Sequence, residues 1–250
     1  MDFYHLISQN ICVFGCNLCR NTCPANSPVI TNQSMEAYAC WSLDDEKRKS
    51  SSSGGIASIF YGHFLKNKNG IAYGCNYDDN LHLQFSRASK LDEIEKFKTS
   101  KYTFSHIRNT FKEIKKDLVN NNHVVFIGTP CQVAGLKNFL NKDYKQLLCI
   151  DLICHGMPPE QYLSDYIDEL NLSIKPDNLT FRGINNFYFT LYSKNKIIYS
   201  KKSGEDKFFK AFLEGLFYRK NCYSCKYASD KRVRRYYNWR FLGIRKRYSV

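Results

Sequence analysis

Apolar positions along the chain fall into short continuous runs separated by longer stretches with helical spacing. Gly70–Tyr77, His123–Ile127 and Leu147–Ile153 read as strands; the Val/Ile/Phe run of the second predicts burial on both faces. Ile107, Phe111, Ile114 and Leu118 recur at helical spacing, which predicts an amphipathic helix over Ile107–Asn121. Further helices are predicted over Ile56–Leu65, Gln132–Leu140, Glu160–Leu170 and Lys207–Leu216. Shorter strands are predicted over Ala37–Ser42, Leu179–Arg182, Phe187–Ser193 and Lys196–Tyr199, with Asp44–Lys49 as a charged link. Strand–helix–strand alternation of this kind argues for an α/β (α+β mixed sheet) domain over residues 36–232. Residues 1–30 differ: they are rich in Cys, Asn and Pro without sustained periodicity, as a small ligand-wrapped lobe would be. No internal repeat or low-complexity linker interrupts the pattern.

Composition narrows the class. With 250 residues, 43% hydrophobic and 24% charged, the chain has the make-up of a globular protein able to bury a core. No run of about 18 apolar residues is present, so no membrane span is expected. The start, MDFYHLISQN, lacks a basic segment followed by an apolar one, so the expectation is a cytoplasmic protein with reduced thiols. Eleven cysteines in that setting call for metal or catalysis. The net charge of +14 is uneven: residues 231–250 carry eight Lys/Arg and no acid, which leaves +6 for the rest. Basicity is thus largely a property of the C-terminal stretch that includes the 233–250 tail, and no nucleic-acid partner is expected.

The densest motif is Cys12-x3-Cys16-x2-Cys19-x3-Cys23-Pro24. Bacterial ferredoxin runs place thiolates at two-, two- and three-residue gaps and end in Pro, so that one loop wraps a cubane. Here the first gap holds one residue more. The run reads as a ferredoxin-like [4Fe–4S] lobe; a zinc knot or unliganded thiols are the other uses of such spacing. A second set is dispersed. Cys131 and Cys154 each follow a buried strand, which puts both at the carboxyl edge of a parallel sheet, and Cys222-x2-Cys225 adds a close pair. Spacing alone leaves open whether Cys131 and Cys154 are ligands or small core residues. Cys40, Cys75 and Cys149 sit in apolar surroundings and read as packing residues.

Ser52-Ser53-Gly54-Gly55 ahead of a helix is a candidate anion site, since free backbone N–H groups and the helix dipole favour phosphate; an ordinary N-cap would look the same. Ser100-Lys101-Tyr102 offers a hydroxyl, a cation and an aromatic ring for a phosphate-bearing aromatic cofactor. His155, beside Cys154, titrates near neutrality and is a candidate proton donor or a structural hydrogen-bonding residue.

Taken together, the Cys run ending Cys23-Pro24, AYACW with KSSSSGGIAS, TSKYTFS, VVFIGTPCQVAGLKNFL, IDLICHGMPP, TFRG and FLEGLFYRKNCYSCKYA resemble the beta subunits of coenzyme F-420 hydrogenases and dehydrogenases and their bacterial relatives. The resemblance covers roughly residues 12 to 232. It implies an iron–sulfur flavoprotein that uses FAD without a G-x-G-x-x-G fingerprint, in keeping with the absence of that motif here. By the same resemblance Cys131, Cys154, Cys222 and Cys225 become ligands of a second [4Fe–4S] cluster. Ser53, Gly54, Gly55, Ser100, Lys101 and Tyr102 become FAD contacts; Thr129 is a further cofactor-binding candidate, and His155, from its place beside Cys154, is the catalytic one. The implied partners are a redox protein or a deazaflavin- or nicotinamide-type carrier. Many bacterial relatives resemble accessory reductases of surface-polysaccharide gene clusters.

Two departures from the family pattern carry expectations of their own. The family commonly has two Cys runs at the N-terminus where this chain has one. After CxxCKxA and an Arg, the family continues D-I-T-I-G-D-F-W-G, whereas Arg235 to Gly243 here reads RYYNWRFLG. Written as GAT ATT ACA ATT GGC GAT TTT TGG GG and read one base earlier, the family string yields R-Y-Y-N-W-R-F-L-G. The resemblance therefore implies a frameshift near Val233–Arg234; sequencing the gene tests it, and a neighbouring frame without that string would refute it. Three functions follow as expectations: an FAD/[4Fe–4S] oxidoreductase, a non-catalytic iron–sulfur electron-transfer or scaffold subunit, and an inactive truncated gene product.

Overall fold

The computed structural model describes residues 15–33, 36, 38–182 and 187–233, together with the backbone of 238–239. Helices are α1 (Leu18–Thr22), α2 (Asp45–Lys49), α3 (Ile56–Leu65), α4 (Thr110–Val119), α5 (Pro130–Leu140), α6 (Glu160–Glu169), α7 (Lys207–Leu213) and α8 (Lys220–Tyr223). Strands are β1 (Gly70–Tyr77), β2 (Leu83–Ala88), β3 (His123–Gly128), β4 (Leu147–Leu152), β5 (Asn178–Thr180), β6 (Tyr188–Ser193), β7 (Lys196–Lys202) and β8 (Asn238–Trp239). They form a five-stranded sheet of order β2-β1-β3-β4-β8 and a three-stranded sheet of order β5-β6-β7. In the larger sheet β1 pairs with β2 antiparallel and the remaining neighbours are parallel. The result is a mixed α/β fold with a Cys-bearing N-terminal segment.

Strand alternation assigns each face its own cover. Val124 and Phe126 of β3 join Ile71 and Tyr73 of β1 under α4 and α5, where Ile114, Leu118, Val133 and Leu136 close the layer. Val125 and Ile127 face the other way, onto Tyr61 of α3, with Ile94 and Phe97 from a 3-10 turn. Both faces of β3 are therefore covered, as its unbroken apolar run requires. The smaller sheet turns Phe189 and Leu191 toward Leu163 and Tyr166 of α6 and Phe208, Phe209 and Phe212 of α7, a largely aromatic core.

Two expectations need correction. No strand forms over the described part of 37–42: Tyr38 and Trp41 are 68% and 51% exposed, with no neighbouring strand to bury them. The charged link Asp44–Lys49 is instead a short helix, capped by Asp44 and laced by ion pairs three residues apart. The end of the described chain is part of the core. Val233 is fully buried, its N–H donates to Asp151 Oδ2 at 3.3 Å, and its carbonyl accepts from Lys137 Nζ at 3.1 Å. Of the tail beyond it, only the backbone of 238–239 lies within the described residues, as β8 beside β4.

Candidate functional site

Three elements bring four thiols to one edge of the larger sheet. β3 and β4 are parallel neighbours with Gly128 opposite Asp151, so the turns that leave them emerge together. The first turn starts α5 with Pro130 and a capping box, in which the Thr129 N–H donates to Gln132 Oε1 at 2.9 Å. That box places Cys131 in the first helical turn, its Sγ 3.2 Å from Thr129 Oγ1. The second turn carries Cys154, whose Sγ faces Gly156 O at 3.9 Å.

Cys222 reaches the same loop: its Sγ faces Met157 O at 3.9 Å, and the Arg219 N–H donates to that carbonyl at 3.0 Å. The Cys222 N–H bonds Arg219 O at 2.7 Å and the Cys225 N–H bonds Cys222 O at 3.4 Å, which closes the turn between the pair. Gly156 lets these segments interlock. Its φ is +136°, and a Cβ there would stand 2.2 Å from the Tyr218 ring.

Burial raises the Cys131 thiol, and the nearby Cys225 and Cys222 push it the same way while Thr129 and Arg219 oppose them. Cys154 is pushed up to about 12, first by burial and then by Cys131, Cys222 and Cys225, against a backbone hydrogen bond from Gly156. Thiols that raise one another in this way are near neighbours. Taking them to thiolates together needs positive charge among them, which metal supplies. Among the described residues no three His, Cys, Asp or Glu side chains converge on one point as ligands of a single ion do. The donor set, four thiols gathered at one sheet edge, fits the all-cysteine ligation of a [4Fe–4S] cubane.

His155 follows Cys154, with its Nδ1 2.6 Å from Tyr218 Oη, and Tyr218 Oη also donates to Phe212 O at 2.7 Å. When Tyr218 donates its one phenolic proton to Phe212 O, the His155 proton is on Nδ1 and Nε2 is the acceptor. Burial lowers His155, which favours that neutral ring.

The N-terminal thiols belong to a segment that packs along α5 beyond Cys131. Cys16 and Cys19 are exposed and Cys23 is half-buried; Cys12 lies outside the described residues. Cys23-Pro24 rests on α5, where a Cβ on Gly135 would stand 3.7 Å from Pro24 Cδ. Asn138 Nδ2 holds Ser27 O at 2.7 Å. Tyr227 stands between the two thiol sets: its hydroxyl donates to Pro24 O at 3.1 Å and accepts from the Val29 N–H at 3.3 Å. Burial raises Tyr227, and Cys131, Cys225 and Cys23 all add to the rise.

The two loops assigned to a cofactor meet each other. Ser52 Oγ accepts from the Ser100 N–H at 2.6 Å, and the Ser42 N–H donates to Gly54 O at 2.6 Å. Ser53 and Gly54 lead to Gly55, the N-cap of α3 at φ +77°. The N–H groups that open α3 find no carbonyl inside the helix, which leaves them for an anion. Lys101 does not reach outward. Its Nζ donates to the carbonyls of Phe97, Lys98 and Thr99 at 3.2, 2.5 and 3.2 Å, which commits all three protons to its own loop, and burial lowers it to about 8. Tyr102 turns toward the aromatic core, stacked on Phe212 at 4.7 Å between ring centres.

From there the chain runs directly to the thiols. Phe212 also lies 5.0 Å from the His155 ring, and the Phe104 N–H donates to Pro158 O at 3.1 Å. Gln132 Nε2 donates to Ser105 Oγ at 2.7 Å, and the Arg219 guanidinium sits 3.8 Å above the Phe104 ring. Residues 100–106 thus join the glycine loop at one end and the start of α5 at the other. Sequence reading misses Ser105, Gln132, Tyr218, Arg219 and Tyr227 as members of the site. Gln132 alone carries a legible signal, the T-x-x-Q capping spacing.

Residues 121–232 match the sequence profile of a family described as the C terminus of the coenzyme F420 hydrogenase/dehydrogenase beta subunit. Among solved structures, a chain from the xenon-derivatised F420-reducing [NiFe] hydrogenase complex of Methanosarcina barkeri is similar, with a TM-score of 0.51 and 16% identity over 78% of this chain and 67% of that one. At that identity the likeness speaks for the fold. Comparison with curated proteins gives no match.

Proposed function

We propose that this chain, which belongs to the coenzyme F420 hydrogenase/dehydrogenase beta-subunit family through residues 121–232, is an electron-relay oxidoreductase subunit that holds FAD beside [4Fe–4S] clusters. The observation that carries the reading is the gathering of Cys131, Cys154, Cys222 and Cys225 at one sheet edge, with Cys23 just across Tyr227. When bound, FAD would exchange electrons in pairs at the hydride level and the clusters would pass them on singly.

The chain's own residues set the conditions. Cys131, Cys154, Cys222 and Cys225 would hold the inner cluster, while the Gly156–Tyr218 contact and the Arg219–Met157 bond fix their spacing. Arg219 adds positive charge that favours the anionic state of Cys131. Cys16, Cys19 and Cys23, with Cys12, would hold the outer cluster. The Ser53–Gly55 segment and the first N–H groups of α3 would take the FAD phosphates. Lys101 acts as a staple that fixes the 97–102 turn. Tyr102 and Phe212 form an aromatic wall between that turn and His155, whose Nε2 would take up a proton. A redox protein or a soluble two-electron carrier is the proposed partner; among the described residues no helix is long and apolar enough to cross a membrane.

A second reading, a cluster carrier without flavin, is favoured by Lys101 and Tyr102, both of which spend their contacts inside the protein. Anaerobic purification with iron, sulfide and flavin analysis separates the two. One FAD with about eight irons per chain is the outcome expected for the relay. Iron without flavin would establish the carrier, and zinc in place of iron would overturn both.

A further inference from the structure

A cavity of about 440 Å³ opens beside the glycine loop, away from the thiols. Its size falls within the range of small-molecule sites, which are usually lined by apolar and aromatic side chains. Here all ten lining residues carry a hydroxyl or a cationic group, and none carries a carboxylate.

The outer face of the smaller sheet makes the floor. Strand alternation sends Phe189 and Leu191 into the core and leaves Tyr188, Thr190 and Tyr192 on the opposite face. Thr180 and Ser200 come from the flanking strands. Thr190 Oγ1 lies 2.9 Å from Ser200 Oγ, and Thr180 Oγ1 lies 3.4 Å from the Tyr192 hydroxyl. A register shift between Leu191 and Tyr192 leaves Ile198 of β7 without a pairing partner on β6. Arg182 stands at one end, its guanidinium 4.5 Å from the Phe187 ring and without a carboxylate partner among the described residues. Ser50, Ser51 and Thr99 close the opposite wall, and Lys49 contributes a second cation while paired to Glu46 at 3.0 Å.

A row of hydroxyls with two tyrosine rings suits a polyhydroxylated ligand, and a guanidinium that meets no carboxylate among the described residues suits one anionic group on it. We propose that this cavity binds a phosphorylated sugar, with Arg182 on the phosphate and the Thr190–Ser200 and Thr180–Tyr192 pairs on the hydroxyls. The site uses none of the residues assigned to FAD or to iron, so it stands whether or not flavin is present.

Calorimetric titration of the anaerobically purified protein tests it, with glucose 1-phosphate, inorganic phosphate, glucose and FAD as probes and flavin content measured on the same samples. Glucose 1-phosphate is expected to bind more tightly than phosphate or glucose. Arg182→Ala is expected to weaken it by about tenfold, the loss of one charge-assisted contact, with flavin and iron content unchanged. Ser200→Ala gives a smaller loss and guards against misfolding of the Arg182 variant. Absence of glucose 1-phosphate binding would overturn the proposal, as would unchanged affinity in both variants. Displacement of glucose 1-phosphate by FAD would also overturn it, by giving the cavity to the cofactor.

Discussion

Asp117 is buried on α4 and accepts hydrogen bonds from Tyr73 at 2.7 Å, from Arg87 at 2.8 and 3.0 Å and from Asn122 at 2.9 Å. Burial alone would raise its carboxyl, but the bonds from Arg87, Tyr73 and Asn122 outweigh it and hold the group below its ordinary 3.8. A depressed carboxylate stabilises the fold above its unfolded value, and that stability fades as pH falls through the folded one. Asp117→Asn should therefore cost about 2 kcal/mol at pH 7, because Arg87 loses its partner. The difference from wild type should shrink in urea titrations taken below about pH 4; a constant difference would contradict it. Tyr227 is a second point of leverage. Tyr227→Phe keeps the ring and removes the bonds to Pro24 and Val29, a loss of about 1–2 kcal/mol, seen as easier proteolysis within residues 15–33 and a lower iron content.

α5 is the joint on which both thiol sets depend. It carries Cys131 in its first turn, while Gly135 and Asn138 further along support the Cys23 segment. Thr129→Ala removes the cap hydroxyl and should cost about 1 kcal/mol, with slower cluster uptake during reconstitution. Gly156→Ala is more severe, since the Cβ meets the Tyr218 ring at 2.2 Å in a backbone conformation that favours glycine. A loss above about 2 kcal/mol in chemical denaturation is expected. Much at this scale is legible in the chain. The predicted Ile56–Leu65 helix and Gly70–Tyr77 strand form over those residues, and the strands before Cys131 and Cys154 are parallel neighbours. β2 escapes notice because Arg87 falls where the alternation calls for an apolar residue, and its partner Asp117 lies thirty residues away. The inward turn of Tyr102 is equally hidden, since it depends on Phe212, which the sequence holds far off.

At the scale of the whole molecule, the two sheets divide the work. The larger sheet gathers thiols along one edge, and the smaller one supplies the aromatic core behind Tyr102 together with a hydroxyl-rich outer face. Segment 100–106 ties the glycine loop to the thiols by short hydrogen bonds and ring contacts, so the proposed electron path follows continuous packing. Much of the chain's basicity lies in residues 231–250, and the structural case for function rests on residues before it. The central claim is that four thiols from three separated stretches serve one cluster, and iron analysis of reconstituted variants tests it most directly. Cys154→Ser and Cys225→Ser should each lose about four irons, the double variant should lose no more than either single one, and circular dichroism should stay unchanged. Losses that add between the two variants, or iron content untouched by both, would contradict the account.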